Sequence, residues 1–405
     1  MLAGAAIVLA GCAALLLLVL GQARRRNVSI WLPAYVRRDW PGRRERPPAT
    51  SAGPTHVMFC IADHFEPGWR HADPDLERRR VQEWVDGYPA LFSRFRDADG
   101  HPPRHTFFYP IEQYRPEHFD RLAGLVQAGY GEVEVHLHHD NDTSDGLRRT
   151  LLGFLEQLGR HGLAGADAGS GRAAFAFVHG NWALDNSLPD GRWCGVNDEL
   201  SILRECGCYA DFTLPAAPSP AQTRRINSIY YATDDPSLPK SHDDGQVVRA
   251  NGGPTGDLMI VQGPLGLRWP GRFGLLPAIE NGDVSAAAPP APHRARSWVR
   301  LRVCVAGRPD WVFIKVHTHG CKEANTRVVL GPPMQTLHEW LGVHYNDGIQ
   351  YKLHYVTARE MYNIIKAAER GLAGAPGEFR DLVIAPPRAA GGRLAASPPD
   401  TEATP

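Results

Sequence analysis

The sequence predicts an α/β protein built around a mainly parallel sheet. From about residue 56 to residue 370, short apolar segments typical of buried strands alternate with amphipathic segments of helical period. Histidine and acidic residues directly follow several of these strands, at the ends where parallel sheets collect functional side chains. The alternation is compatible with an open sheet and with a sheet closed into a barrel.

Each predicted element rests on its own pattern. Residues 56–62 are a continuous apolar run, and the helix after them carries Leu76, Val81 and Trp84 at helical spacing. Pro116 opens the next helix, at a position where its missing N–H costs no hydrogen bond. The predicted strands are 56–62, 106–109, 133–138, 173–178, 210–213, 298–305 and 311–317, and the predicted helices are 75–95, 116–128, 146–163, 197–205 and 357–370.

One domain accounts for most of the 405 residues, of which 43% are hydrophobic, an ordinary fraction for a globular protein. We assign this domain to residues 55–372. Two segments rich in Pro, Gly, Ser or Ala interrupt it near 215–274 and 283–296, and we interpret them as inserts. Residues 373–405 are rich in Ala, Pro and Gly and are predicted to be disordered.

The N-terminus carries an apolar segment of bilayer length. Residues 2–21 are apolar or small, and three arginines follow at 24–26. No positive side chain precedes the apolar run, so an uncleaved transmembrane helix at 1–22 is favoured over a signal peptide. Residues 23–54 are then a juxtamembrane linker, in which Trp31, Tyr35 and Trp40 suit the membrane surface.

The membrane prediction leaves two points open. The arginines favour a cytoplasmic domain, but they do not decide the side of the membrane on which it lies. The four residues 9–12, with the sequence LAGC, also resemble a bacterial lipoprotein cleavage box, although the most apolar residues follow them.

Charge and cysteine content argue against two classes of protein. Lys+Arg and Asp+Glu number 44 each, so the positive field that attracts nucleic acid is missing. The seven cysteines form neither a CxxC pair nor the spacing of a disulfide framework. We therefore expect no nucleic-acid partner and mostly buried, unreactive thiols.

The most informative motif is EVEVHLHHD at residues 132–140. Alternate side chains of a strand share a face, so His136 and His138 point the same way, with Asp140 beside them if the strand persists. Imidazole and carboxylate are the ligands that Zn, Mn, Fe and Ni prefer. A histidine cluster of this kind also occurs on the surface at the end of a strand, so the motif alone leaves a metal site and a surface cluster equally open.

Other predicted strand ends shift the balance toward a metal site. Taken singly, each of their residues is more often structural, as a turn cap or a core histidine. Together they would meet at one edge of a parallel sheet. These residues are Asp63, His64, His179, Asn181, Asp211, His317 and His319.

The order of the segments resembles that of the polysaccharide deacetylase family, from about residue 55 to residue 370. The similar segments are FCIADH at 59–64, TFF at 106–108, EVEVHLHHD at 132–140, FVHGN at 177–181, YADFT at 209–213 and IKVH at 314–317. The chain departs from the family where His64 stands in place of a second aspartate and Asp140 in place of a second histidine. The resemblance implies a (β/α) barrel of about seven strands.

The resemblance also implies a reaction: removal of N-acetyl or O-acetyl groups from a polysaccharide or other glycan. A divalent metal would polarise the acetyl carbonyl and lower the pKa of a bound water; zinc is favoured, with Mn, Fe, Co or Ni as alternatives. His136 is the implied principal ligand, helped by His138 or Asp140. Asp63 is the implied general base, or a ligand beside His64.

Further roles follow from the same resemblance. His317 would protonate the leaving amine, with His319 as an alternative acid. The residues implied in holding the sugar or orienting a histidine are His179, Asn181, Trp182 and Asp211.

Two other functions stay open. His136 and His138, followed by Ser144-Asp-Gly146, are also similar to the opening motif of PHP-type metal phosphoesterases. The other alternative is a membrane-tethered barrel that binds carbohydrate without cleaving it. Metal content separates the enzymes from the binding protein, and the release of acetate or of phosphate separates the two enzymes.

Overall fold

The computed structural model describes residues 21–39, 53–268 and 277–388. Twelve strands of the described chain form one mixed sheet, and β10 and β11 form a separate hairpin. The strands are β1 (Thr55–His64), β2 (His105–Pro110), β3 (Gly131–Leu137), β4 (Gly165–Asp167), β5 (Ala173–His179), β6 (Cys208–Asp211), β7 (Ile229–Ala232), β8 (Gln246–Val247), β9 (Leu258–Val261), β10 (Gly266–Arg268), β11 (Ala278–Glu280), β12 (Trp311–Thr318), β13 (Tyr351–Tyr355) and β14 (Ile384–Ala385).

Helices connect most of the parallel strands. Asp73 and Thr143 cap the second and fourth helices, where their side chains accept hydrogen bonds from backbone N–H groups of the first turn. The α-helices of the described chain are α1 (Val28–Ala34), α2 (Pro74–Phe92), α3 (Pro116–Gln127), α4 (Ser144–Arg160), α5 (Glu199–Glu205), α6 (Pro292–Leu301), α7 (Glu323–Val329), α8 (Pro332–Tyr345) and α9 (Ala358–Glu369).

The order of the main strands is β12-β1-β2-β3-β5-β6-β9-β7-β8. The neighbours from β12 to β9 run parallel, whereas β7 is antiparallel to both β9 and β8. The carboxyl ends of β12, β1, β2, β3 and β5 therefore lie at one edge of the sheet.

The predicted barrel of about seven strands is wrong. The sheet runs from β12 to β8 and does not close on itself along this path. Residues 215–274, interpreted as an insert, provide β7, β8 and β9, which extend the sheet beyond β6. These strands have only two to four residues each and lie among Pro, Gly and Asp, so their periodicity is too short to recognise.

A second correction concerns residues 298–305, predicted as a strand and found partly in helix α6. Apolar and charged residues alternate in the sequence WVRLRVCV, which is the pattern of a half-buried strand. The helix begins earlier, with Pro292 in its first turn, and buries Ala295, Trp298 and Val299. The spacing of three and four between these residues belongs to a helix face.

The two faces of the sheet pack against different partners. Odd-numbered residues of β1, such as Phe59 and Ile61, belong to the apolar core that contains α2, α3 and α4. Even-numbered residues, such as Cys60 and Ala62, belong to a second core with the apolar side of α9. Alternation along the strand thus separates the two cores.

Strand β3 carries charge into the second core. Its Val133 and Val135 join the first core, whereas Glu132 and Glu134 point to the opposite face. Glu132 forms a buried ion pair with Arg359 of α9 at 2.8 Å. Burial raises the pKa of Glu134 to about 8, although the Tyr209 hydroxyl donates a hydrogen bond to it. Both side chains are hydrogen-bonded, so neither leaves a buried polar group unpaired. The strand can therefore stay in register with its neighbours up to His136 at the carboxyl edge of the sheet.

The prediction of an N-terminal transmembrane helix has to be corrected. Within the described ranges no helix is long and apolar enough to cross a membrane. Residues 1–20 of the predicted anchor lie outside those ranges. In the predicted linker, α1 has only seven residues, and Trp31 and Tyr35 are buried in a small core with Leu265. These two rings therefore pack against the domain.

The ordered domain extends further along the chain than the predicted boundary at residue 372. Strand β14 pairs antiparallel with β4. Arg380 is buried and forms ion pairs with Asp97 and Asp99. Fourteen residues separate α9 from β14, and this segment is held by ion pairs rather than by the apolar periodicity that the prediction used. Residues 389–405 of the predicted tail lie outside the described chain.

We predict that Glu132→Gln lowers the free energy of unfolding by about 3–5 kcal/mol, because it leaves the buried Arg359 guanidinium without its main counter-charge. The control is Glu156→Gln, which removes an exposed pair with Arg160 and is expected to cost less than about 1 kcal/mol. Urea unfolding measures both. Equal losses in the two variants would contradict the structural role of the buried pair.

Candidate metal centre

Three imidazoles converge on one carboxylate oxygen at the carboxyl edge of the sheet. The Nε2 atoms of His136, His138 and His319 lie 3.5, 3.6 and 4.0 Å from Oε1 of Glu66. The ring of His64 stacks on that of His319, with centroids 4.6 Å apart. We call these five residues the cleft centre.

Neighbouring strands bring these residues together. His64 is the last residue of β1, and His136 is the last but one of β3. His319 directly follows β12, which pairs with β1 in parallel register up to Asp63 and Thr318. Directly after β1, the Phe65 N–H donates a hydrogen bond to the carbonyl of Phe108 in β2. Glu66 thus lies at the same edge of the sheet as the histidines.

The imidazole of His136 is oriented as in a metal ligand. Its Nδ1 donates to the carbonyl of Val178 at 2.8 Å, so the proton of the neutral ring lies on Nδ1 and Nε2 carries a lone pair. The side chain is fully buried, and Nε2 has no hydrogen-bond partner among the described residues. A backbone carbonyl commonly orients metal-binding histidines in this way. The residues present therefore fit a divalent metal ion.

The pKa shifts of the residues in the cleft centre also favour metal binding. Burial lowers the pKa of His64 well below its usual value, and the nearby His319 and His136 lower it further. Burial also lowers the pKa of His319 to about 4. Burial opposes the ionisation of Glu66, but the close approach of His136 and the charges of the neighbouring histidines outweigh it and lower its pKa to about 2. Neutral imidazoles beside an ionised carboxylate are the state in which these groups bind metals.

His138 differs from the other histidines of the centre. Its side chain is 30% exposed, and its Nδ1 lies 2.6 Å from Oε1 of Glu112. Burial alone would lower the pKa of His138, but the hydrogen bond and charge of Glu112 raise it above the usual value. A side chain at Gly180 would overlap the His138 ring, so glycine is required there. His138 thus combines access to solvent with a carboxylate partner.

The centre forms part of the wall of an open cleft of about 850 Å³. His64, Glu66, His138 and His319 all face this cleft. Aromatic, cationic and amide side chains form much of the remaining wall, namely Trp69, Arg70, Tyr114, Asn181, Trp182 and Lys322.

Asp63, predicted as a base or ligand, is fully buried and is not part of the cleft wall. Its Oδ2 accepts a hydrogen bond from His105 at 2.9 Å, and its Oδ1 accepts one from the Gly320 N–H at 2.6 Å. A Cβ at Gly320 would overlap this carboxylate. Asp63 therefore links β1, β2 and the segment after β12, and both of its oxygens are engaged.

Two more predicted residues have structural contacts. Asp140 accepts a hydrogen bond from the Trp193 N–H at 2.6 Å, and it does not join the cleft centre. The ring centroid of His317, the predicted acid, lies 6.3 Å from that of His64. His317 is buried behind the centre and outside the cleft wall.

The predicted substrate-binding residues fall into two groups. Asn181 and Trp182 line the cleft, and both have positive φ, 54° and 57°. Trp182 lies close to His64 and His319, with centroids 6.0 and 5.9 Å away.

His179 and Asp211 lie outside the cleft. Both Asp211 oxygens accept hydrogen bonds from Thr213, whose hydroxyl oxygen accepts one from the His179 N–H. Asp211 thus supports the backbone of His179. The imidazole of His179 belongs to a second cluster, with His139.

Sequence reasoning missed Glu66 and Glu112. Glu66 stands two residues beyond His64, so continuing the strand alternation past the end of β1 would have found it. Glu112 belongs to a short 3₁₀ turn after β2, for which the sequence carries no periodic signal.

Neither a protein-family model nor a curated protein matches this chain. The assignment of function therefore rests on the motifs and on the geometry of the cleft centre.

We predict that His136→Ala removes one divalent ion per chain while the fold is kept, because its buried Nε2 is the donor best prepared for metal. The control is His344→Ala, which changes a histidine whose Nδ1 contacts only the Trp340 carbonyl on the exposed side of α8. Mass-spectrometric metal analysis and circular dichroism measure the outcome. Full metal retention by folded His136→Ala protein would overturn the assignment.

We predict that Asp63→Asn keeps this metal ion but lowers the free energy of unfolding by about 1–3 kcal/mol, since it disturbs buried hydrogen bonds to His105 and Gly320. Metal analysis and urea unfolding test this. Loss of the ion at unchanged stability would instead make Asp63 a ligand.

Proposed function

We propose that this chain is a metal-dependent hydrolase that removes acetyl groups from a glycan. The observation that carries the proposal is the convergence of His136, His138 and His319 on Glu66 in the wall of an open cleft. When bound there, a divalent ion polarises the acetyl carbonyl and activates water for attack. The order of motifs that resembles the deacetylases supports the same reaction.

The chain offers distinct residues for binding the ion and for moving protons. His64, Glu66 and His319 would hold the ion, with His136 facing the same Glu66 oxygen as a further donor. Neutral nitrogen donors with one carboxylate suit zinc, with Mn, Fe, Co or Ni as alternatives. His138 would transfer the proton, because Glu112 holds its Nδ1 and leaves its Nε2 facing the centre.

This assignment moves the proton-transfer role from His317 to His138. A general acid has to meet the leaving group, and His138 lines the cleft whereas His317 does not. The Glu112 carboxylate favours the protonated form of His138, which can give its proton to the leaving amine.

The cleft wall suits a sugar chain. Trp69, Tyr114 and Trp182 offer flat apolar surfaces, and Asn181 offers an amide for hydroxyl groups. The Lys322 ammonium lies 3.7 Å from the Trp69 ring centroid and adds a cationic donor to the same wall. The volume of about 850 Å³ is within the range of small-molecule sites and fits a short oligosaccharide.

The direct test is acetate release from N-acetylglucosamine oligomers and from O-acetylated oligosaccharides, with the metal-loaded full chain. The expected result is metal-dependent acetate release that Glu66→Gln abolishes. Phosphate release from phosphate esters, or tight glycan binding without any release, would replace the proposal by a phosphoesterase or by a binding protein.

We predict that Glu112→Gln lowers acetate release about 10–100-fold and keeps the bound ion, because Glu112 orients His138 without reaching the centre. Losing the carboxylate also lowers the pKa of His138. A general acid works only while protonated, so the alkaline limb of the pH profile should move to lower pH.

The control for this prediction is Glu117→Gln on α3, a glutamate that pairs with Arg78 and is not part of the cleft wall. It should leave both rate and pH profile unchanged. An unshifted profile in Glu112→Gln would exclude His138 as the acid.

A further inference from the structure

A second group of metal-binding side chains lies beyond β5, outside the cleft wall. The Nε2 atoms of His139 and His179 are 2.8 Å apart, and they lie 3.3 and 3.5 Å from Oε1 of Glu199. Cys194 completes the group, with its Sγ 3.5 Å from Oε2 of Glu199. We call these four residues the buried cluster.

Hydrogen bonds fix the orientation of both imidazoles. Nδ1 of His139 donates to Asp142 at 3.0 Å, and Nδ1 of His179 donates to the Gly180 carbonyl at 2.6 Å. In the neutral rings the two Nε2 lone pairs therefore face each other, with the Glu199 oxygen beside them. Three lone pairs this close repel unless a cation lies among them. That cation is either a proton or a metal ion.

Glu199 and Cys194 favour the metal ion. Oε2 of Glu199 accepts a hydrogen bond from the Asp185 N–H at 2.5 Å, whereas its buried Oε1 has no hydrogen-bond partner among the described residues. The Sγ atom of Cys194 accepts from the N–H groups of Asn186 and Val196 at 3.3 and 3.5 Å. These contacts favour the thiolate, whereas burial and the Glu199 charge raise the pKa of the thiol, so a bound metal ion would be needed to keep the sulfur deprotonated. The Glu199 carboxylate could also pair with a proton shared by the two imidazoles, but such a proton would make no use of the thiol.

We infer that the buried cluster is a second metal site, which holds a zinc-type ion in a structural role. Two imidazoles, a carboxylate and a thiolate form a closed four-ligand set for such an ion. All four ligand atoms lie within 4.8 Å of one another. On binding, the Cys194 thiol loses its proton to solvent, and the sulfur forms the fourth bond. The inference does not depend on the reaction proposed for the cleft.

The site also explains how an unfavourable loop is held. Five non-glycine residues between β5 and α5 have φ of 52° to 63°, which are Asn181, Trp182, Asp185, Asn186 and Trp193. This backbone conformation is unfavourable for residues other than glycine and needs support from its surroundings. His179 precedes this loop, and Cys194 and Glu199 end it. A shared ion would fasten both ends and so fix Asn181 and Trp182 in the cleft wall.

Cobalt substitution of the full chain tests the inference. The protein is stripped of metal, reloaded with Co²⁺, and examined for ions per chain and for thiolate-to-cobalt charge-transfer absorption. Two ions per chain and this absorption are expected, because the cleft centre contains no cysteine. His136→Ala should lose one ion and keep the absorption.

The matched variants are Cys194→Ser and Cys206→Ser, which change two buried thiols on either side of Glu199. Cys194→Ser should lose the absorption and keep the cleft ion, whereas Cys206→Ser should keep both ions and the absorption. One ion per wild-type chain without thiolate absorption would overturn the inference and leave a shared proton between His139 and His179. This result needs no variant, so misfolding of Cys194→Ser does not leave the question open.

Discussion

The hydrogen bonds of Asp63 hold the strand ends from which the cleft centre is built. One carboxylate at the end of β1 binds His105 at the start of β2 and the backbone of Gly320 after β12. The Gly320 carbonyl in turn accepts hydrogen bonds from Trp84 and Thr326, so helices α2 and α7 are tied to the same point. His64 and His319 lie next to these anchored residues in the chain. The same hydrogen bonds therefore position their stacked rings. A hydrogen-bonded carboxyl group buried beneath the site thus fixes its geometry.

Strand β3 shows how one alternating sequence serves several purposes. Its valines enter the helix-covered core, while Glu132 and Glu134 cross to the other face, where Glu132 pairs with Arg359 and Glu134 accepts hydrogen bonds from Ala176 and Tyr209. The strand can therefore remain in register with β2 and β5 up to its polar end. Beyond it, His138 points to the cleft centre and the next residue to the buried cluster.

The sequence supports the sheet prediction best where strands are apolar and bounded by recognisable helices. The predicted strands 56–62, 106–109, 133–138 and 173–178 all lie within observed strands or differ by one residue at the end. The prediction that strand ends meet is confirmed for His64, His136, His138 and His319. The sequence prediction did not find Glu112, because this residue lies in a turn. It also predicted a closed barrel instead of the observed sheet, because β7 to β9 are too short to show a recognisable periodicity.

The difference between the two histidine clusters lies in solvent access. In the cleft centre His138 is partly exposed and an open cavity adjoins the carboxylate, so an ion bound there keeps room for a substrate oxygen. In the buried cluster His179, Cys194 and Glu199 are fully buried, and every ligand position is taken by the chain. The first arrangement suits chemistry and the second suits support. Since His138 and His139 are consecutive, a displacement of the buried cluster would pass directly to His138, the residue that we propose transfers the proton.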